Sequence, residues 1–481
     1  MKRLVKYFTL FLVLLCLGAN NFLIAQENQK KEEKKFTSLW EGKLKISSVS
    51  LRVVLKVFNN SDGSPGALLD SPDQSANNIP VSSITMTEDS LKFVVQTIGA
   101  SYTGKIYKDS ALVKGTFKQG AMVLPLDLKK IDKLVEIKRP QNPQKPYPYN
   151  DEEITFENKS ANITLAGSFT YPKGDGKFPA VVLVTGSGPQ DRDESLMNHK
   201  PFLVISDYLT RNGIAVLRYD DRGIGKSKGN FASATSEDFA TDALAAVEYL
   251  KTRKEIDPKK IGVAGHSEGG LIAPMCAVNS NDVSFIVMLA GPGVSGKDIL
   301  ILQTELIMKA EGSKDEEINK AVEQNKRFYK VITEETDSTL MYKKLLAMYD
   351  EYVSKLGEDE KMKPENSKES FDRAIKTLLS PWFRFFIKYD PQPTIEQVTV
   401  PVLALNGEKD LQVPPFQNLP EIEKALKAGG NKNFKTLELK GLNHLFQPAK
   451  TGGVSEYGNI ETTFSEDALK IMKDWILSVT R

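Results

Sequence analysis

Cysteine is nearly absent from this chain, with Cys16 and Cys276 the only two in 481 residues. Cys16 sits in an apolar N-terminal run, VLLCLG, that reads as part of a removable export signal. One thiol would then remain, no intrachain disulfide could form, and a cystine-stapled scaffold is excluded. Histidine is almost as scarce. His199, His266 and His444 are the full set, and they lack the spacing of metal ligands, so the sequence implies neither a metal nor an organic cofactor. A surplus of charge is missing too. The 64 Lys and Arg against 62 Asp and Glu leave a formal +2, with the two signs interspersed as on a solvated surface and no basic stripe suited to nucleic acid. The apolar run from Tyr7 to about Leu17 is short for a membrane span, and no internal repeat is visible.

What is present begins at that N-terminus. Lys2, Arg3 and Lys6 precede the apolar run, and small residues near Ala19 and Ala25 precede the polar QENQKKEEKK. This is the order of a secretory signal peptide, residues 1–25, which predicts an exported protein, periplasmic or extracellular, with no stable membrane span once the signal is removed. An uncleaved anchor is the alternative. A lipoprotein is disfavoured because Leu15, not a small residue, precedes Cys16. The length predicts roughly two or three domains, and 40% hydrophobic with 26% charged residues is the composition of a folded soluble protein.

Residues 36–131 alternate short β-like runs, such as LRVVLKVF and MVLPLDL, with turn clusters such as NNSDGSPG. That pattern predicts a small antiparallel β-barrel or β-sandwich. It holds no His and no Cys, and reads as structural or substrate-positioning rather than as a separate binding module. Residues 132–150 carry Pro140, Pro143, Pro146 and Pro148 and predict a semi-rigid linker. From 151 to 481 strands alternate with helices. EITFEN and LAGSFTYP read as an antiparallel hairpin, and FPAVVLVTG, GIAVLRYD, KIGVAGHS, VSFIVMLAG and VPVLALNGEKD as strands of a mostly parallel sheet buried on both faces. Helical periodicity from about 292 to 399 interrupts this alternation, and roughly a hundred residues there predict a helical cap. Within it, Trp382, Phe383 and Phe386 are candidates for a substrate pocket, with packing in the cap core the competing reading.

The run KIGVAGHSEGG supplies the organising motif. A buried strand stops at Gly265, reverses through His266, Ser267 and Glu268, and enters a helix, which is the context a GxSxG nucleophile elbow needs. A serine hydroxyl is a poor nucleophile at neutral pH and requires a base, oriented in turn by a carboxylate. Of the three histidines, His444 follows the last predicted strand, where a loop can return it over Ser267. His266 is locked into the elbow and His199 opens a helix. The orienting acid belongs after the preceding strand, where VLALNGEKDLQVPP offers Asp410, preferred, and Glu408. Developing oxyanion charge needs preorganised N–H donors: the amide of Glu268, and one from the loop GSGPQDRD. Pro189 has no N–H, so Ser187, or else Gly188, is the candidate. Asp191, Arg192 and Asp193 read as holding that loop by mutual pairing. DDRGIGKS, 220–227, lacks the spacing of a phosphate loop and reads as a tight turn near the site.

Taken in order, LVTGSGPQDRDE, LRYDDRGIGKS, GHSEGG, NGEKDLQVP and GLNHLF resemble secreted bacterial α/β-hydrolases of the serine aminopeptidase-like group, close to EstD-type carboxylesterases. WEGKL, LDSPDQSANNIPV and IGASYTGKI resemble the small β domain that precedes the hydrolase in such enzymes, so the likeness covers most of the chain. It implies an α/β-hydrolase fold, Ser267 as nucleophile, Asp410 as acid, His444 as base, and the Ser187 and Glu268 amides as oxyanion hole. The chain departs from many relatives at Thr185, where they carry His before the oxyanion glycine. The expectation is a serine hydrolase that cleaves small-molecule carboxylic esters through an acyl-enzyme. A serine peptidase or a thioesterase on the same three residues, and an inactive hydrolase-fold binding protein, are the alternatives. Oligomeric state is not legible.

Overall fold

The computed structural model describes residues 35–46, 49–72, 76–120, 122–134, 138–361 and 366–481, and the signal expected at 1–25 lies outside them. Two compact units result: one ends at Lys138 and takes in 196–198 and 346–375, and the other holds 139–195, 199–345 and 376–481. The boundary at Lys138 falls in the predicted linker.

In the first unit, alternation of buried and exposed positions along strands such as Ser90–Val95 and Ala100–Tyr107 gives each strand one apolar face. Nine strands join in a single antiparallel sheet whose outermost members are Ala76–Pro80 and Ser83–Met86. Its first strand, Phe36–Ile46, pairs with both Val49–Asn59 and Met122–Ile131, so the beginning and end of the β domain lie side by side. This is a half-barrel, and of the two expected architectures the sandwich does not apply. Gly104 and Gly115 face each other across two strands and make room for one aromatic ring. A Cβ on either would lie 2.6 or 2.4 Å from the Tyr102 hydroxyl, which donates to the Leu126 carbonyl at 3.0 Å.

The second unit contains a sheet of eight strands: β1 (Asn150–Asn158), β2 (Ile163–Tyr171), β3 (Phe178–Val184), β4 (Ala215–Tyr219), β5 (Ile256–His266), β6 (Phe285–Leu289), β7 (Val402–Gly407) and β8 (Phe434–Leu439). Their spatial order is β1-β2-β4-β3-β5-β6-β7-β8. β1 and β2 form the expected antiparallel hairpin, β2 pairs antiparallel with β4, and the pairings from β4 to β8 are parallel. The central strands are buried at every position, as parallel strands covered on both faces must be. Helix α1 (Pro201–Arg211) and the C-terminal helix cover one face, where Phe202, Ile205, Leu209, Leu469, Met472 and Ile476 join Val216, Phe285, Val287 and Leu403 in one core. Helices α2 (Ser236–Lys251) and α3 (Glu268–Asn279) pack together and against β5. Cys276 lies in α3, fully buried, with Sγ 3.6 Å from the Ala240 carbonyl of α2.

Between β6 and β7 the chain forms α4 (Gly296–Ala310), α5 (Asp315–Glu334), α6 (Ser338–Ser354), α7 (Glu358–Lys361), α8 (Lys368–Leu378), α9 (Pro381–Lys388) and α10 (Gln392–Glu396). α4, α5 and α6 are the helices expected from periodicity, and α7, α8 and α10 are not marked out by it. After β7 come α11 (Pro415–Ala428), β8 and α12 (Glu466–Val479). Because the strands from β3 onward are parallel, the loops that leave their C-terminal ends gather at one edge, where open α/β sheets bind ligands.

Candidate active site

β5 ends at His266 and α3 begins at Glu268, so Ser267 alone makes the turn. Its φ of 53° and ψ of −116° lie outside the ordinary allowed regions, a conformation that costs on the order of 1–3 kcal/mol and persists only when its surroundings over-determine it. They do here. The Ser267 N–H donates to Leu289 O at 2.8 Å. A Cβ at Gly265 would sit 1.9 Å from the Gly269 carbonyl oxygen, and one at Gly269 2.1 Å from that of Val184. The glycines let strand and helix approach closely enough to hold the serine at the sheet edge.

Asp410 and His444, the expected acid and base, lie in the loops after β7 and β8. Asp410 Oδ2 meets His444 Nδ1 at 2.8 Å, with both side chains buried. Oδ1 of the same carboxylate accepts the N–H groups of Gln412 and Val413 at 2.8 and 2.9 Å, which fixes the carboxylate plane. Glu408, the other candidate acid, turns away and accepts the Gly441 N–H. Lys409 N–H donates to Leu442 O, tying the two loops together. With Nδ1 committed to Asp410, the second ring nitrogen of His444 has no partner among the described residues, and neither has Ser267 Oγ. The structure thus joins Asp410 to His444 directly. Ser267 is linked to that pair through its neighbour, since His266 Nε2 lies 2.9 Å from the His444 carbonyl oxygen and the two imidazoles stand 4.8 Å apart.

The loop after β3 is drawn in from both sides. Gly186 N–H donates to Glu194 and Gln190 N–H to Asp221, each at 2.9 Å. Pro189 has none to give, so Ser187 and Gly188, with Asp191 further along, carry the loop's uncommitted amides among the described residues. Glu268 lies at the first position of α3, where backbone N–H groups have no partner within the helix. Asp191, Arg192 and Asp193 do hold this loop, in part through one another, since the Asp193 N–H donates to Asp191 Oδ1 at 3.1 Å. Their ion pairs reach outward, Arg192 to Asp220 and Glu153 and Asp193 to Arg218 and Lys200, because β1 and β4 bring Glu153 and Arg218 alongside. DDRGIGKS is the turn expected near the site. Its Asp221 accepts the Thr185 hydroxyl at 2.8 Å, and burial holds that carboxyl well above the usual range.

A protein-family model described as serine aminopeptidase, S33, matches residues 201–378. The chain is 29% identical to esterase EstD of Thermotoga maritima over 301 residues, 62% of this chain and 61% of EstD, so it spans about three fifths of that relative's length. It is 32% identical to the putative hydrolase YtaP of Bacillus subtilis over 155 residues, 26% of this chain and 52% of YtaP. A Pyrococcus furiosus esterase aligns in structure over 70% of this chain and 92% of its own, at 17% identity and a TM-score of 0.41. The chain has the α/β-hydrolase fold.

Three features of the hydrolase were not foreseen. Glu268 sends its side chain away from the elbow into the interior, where the Ser236 hydroxyl donates at 2.6 Å and the Trp382 indole N–H at 2.8 and 2.9 Å. Burial raises its carboxyl pKa, against the lowering effect of those donors. Trp382 of α9 is therefore anchored to the residue after Ser267. It stacks on Phe386 at 5.5 Å, while Phe383 is wholly buried against Tyr329. His199 is the second feature. It is buried among Thr463 Oγ1, the Tyr457 carbonyl and Gln447, and burial, with the charge of Arg139, pushes its pKa down to about 4. It braces the segment after His444. The third is the bridge from Glu194 through His266 to the His444 backbone. Spacing could not have revealed any of them, since the partners lie 32 to 264 residues apart.

A cavity of about 10 Å³ bounded by Thr185, Gly186, Asp221, Asp242 and Glu268 has room for one water and not for an acyl chain. No group of three or more His, Cys, Asp or Glu among the described residues could hold a metal ion, and no helix among them is long and apolar enough to cross a membrane.

Proposed function

We propose that this hydrolase cleaves carboxylic esters of small molecules through an acyl-enzyme. Ser267 is the nucleophile, and His444 takes its proton and then activates water. Asp410 fixes the imidazole with Nδ1–H toward itself. The amides of Glu268 and of Ser187 or Gly188 receive the oxyanion. The observation that carries this reading is the buried 2.8 Å pair of Asp410 and His444 beside a serine held at a strained strand-to-helix turn. Neither half has an evident purpose without the other. Esters are favoured over peptides because the buried Glu268 carboxyl is engaged by Ser236 and Trp382, so it is not free to hold a substrate's amino terminus. We read residues 292–399 as the cap and Trp382 of α9, bonded to Glu268, as the part of it nearest the site. We also read residues 1–25 as a cleaved signal and the protein as exported.

The test is turnover of p-nitrophenyl esters by Ser267→Ala. Loss of about a millionfold in kcat is expected, on the scale of serine triads. Near-normal turnover by a folded variant would sink the assignment. Ester and aminoacyl-anilide turnover on the same preparation separates esterase from peptidase, and a thioester substrate tests the third chemistry.

A further inference from the structure

His266 is buried, and each of its ring nitrogens faces an acceptor. Nε2 lies 2.9 Å from the carbonyl oxygen of His444, which can only accept, so Nε2 carries a hydrogen. Nδ1 lies 2.9 Å from Oε1 of Glu194, an oxygen that also accepts the Gly186 N–H at 2.9 Å. One proton therefore sits on Nε2 and a second lies between Nδ1 and the carboxyl. A ring with two protons is an imidazolium. The titratable groups that face it are Glu194 from the loop after β3, Asp410 from the loop after β7 and His444 from the loop after β8, with the Phe446 ring at 6.4 Å. Burial works against the charge, and the Glu194 carboxylate, the His444 carbonyl and Asp410 outweigh it and hold the ring above its ordinary value.

We propose that His266 is a charged positioning residue, a buried imidazolium that ties the oxyanion loop, through Glu194 and Gly186, to the backbone of His444. The inference rests on Ser267 and His444 being nucleophile and base. Its physical content is the spacing between two loops that the sheet alone does not fix. One carries the oxyanion amides next to Gly186 and the other carries the base, and they are joined to the elbow, and through it to each other, by charge-assisted hydrogen bonds, the stronger kind. A displacement of about 1 Å in such a geometry can cost about a hundredfold in rate. His266 touches no reacting atom in this scheme. It sets where those that do are held.

Two variants and one spectrum test it. Glu194→Gln can still accept the Gly186 N–H but removes the charge partner, and His266→Gln keeps a donor for the His444 carbonyl but cannot bridge both loops. Each is expected to lower kcat by about ten- to a hundredfold, with KM changed less than threefold, and the double variant to be no worse than the more impaired single, as for residues acting as one unit. Since the chain has three histidines, a ¹⁵N-histidine NMR spectrum is simple enough to read. The His266 signals are assigned by their absence in His266→Gln or by elimination in His199→Gln and His444→Gln. At pH 7.5 His266 is expected to show both ring nitrogens protonated in the wild-type protein and one in Glu194→Gln. Wild-type His266 with a single ring proton at that pH, or kcat within twofold of wild type in either variant, would overturn the proposal. Failure of the underlying triad would look different, as turnover surviving in Ser267→Ala.

Discussion

His199 shows how one buried side chain writes itself into the pH dependence of the whole fold. Its pKa is about 4 in the folded chain against an ordinary 6.5. As pH falls from 6.5 toward 4 the unfolded chain takes up a proton that the folded chain refuses, so stability present above pH 6.5 is lost across that window, by up to about 3 kcal/mol. Urea unfolding at pH 7 and at pH 4.5 should show that loss, and His199→Asn should flatten the histidine part of it even though the variant is weaker at pH 7. Equal slopes in the two proteins would remove His199 from the account. At this scale the sequence was informative where chemistry restricts the choice. Three histidines leave few bases, and of two nearby acids only Asp410 reaches the imidazole. It was uninformative about His199 and His266 themselves, because a buried histidine is defined by partners that only the fold assembles.

At the scale of elements, the link from α9 to α3 is the least visible in the chain and the most open to measurement. Trp382 and Glu268 are 114 residues apart, yet the indole N–H bonds both carboxylate oxygens. Trp382→Phe keeps the ring's bulk and stacking on Phe386 but leaves a buried carboxyl with the Ser236 and Ser187 side chains as its remaining donors. Such a loss costs about 1–3 kcal/mol. A shift of the urea midpoint in that range at unchanged slope is expected, and a shift corresponding to less than about 0.5 kcal/mol would mean that water or a neighbour replaces the donor. The aromatic cluster of LLSPWFRFFIKYD was evident from composition. Which ring meets the elbow was not, since helical periodicity says which residues share a face and nothing about what the face meets. The eight strands of the hydrolase sheet were easier to read, because unbroken apolar runs have few other uses. In the β domain, alternation announced one buried face per strand, and it took the pairing of Phe36–Ile46 with Met122–Ile131 to distinguish a half-barrel from a sandwich.

For the molecule as a whole, the proposed export carries its own test. N-terminal sequencing of protein recovered from the periplasm or the medium should begin at Gln26, and a chain that still starts at Met1 in those fractions would reject cleavage. The two compact units also carry a lesson about reading order. Residues 346–375 come from the insertion between β6 and β7 but group with the N-terminal unit, and no local pattern in 346–375 signals that allegiance. Strand and helix propensities act over a few residues, whereas that grouping joins segments more than two hundred residues apart in the chain.

Cys276 then acquires a use. If the chain is cleaved after Ala25 as proposed, it is the one sulfhydryl left, sealed between α2 and α3 beside the Ala240 carbonyl and with its thiol pushed up to about 12 by burial. A native molecule should therefore be inert toward thiol-directed dyes, and the pace at which label appears becomes a stopwatch for the parting of those two helices. Any cysteine introduced elsewhere for spectroscopy would report without background.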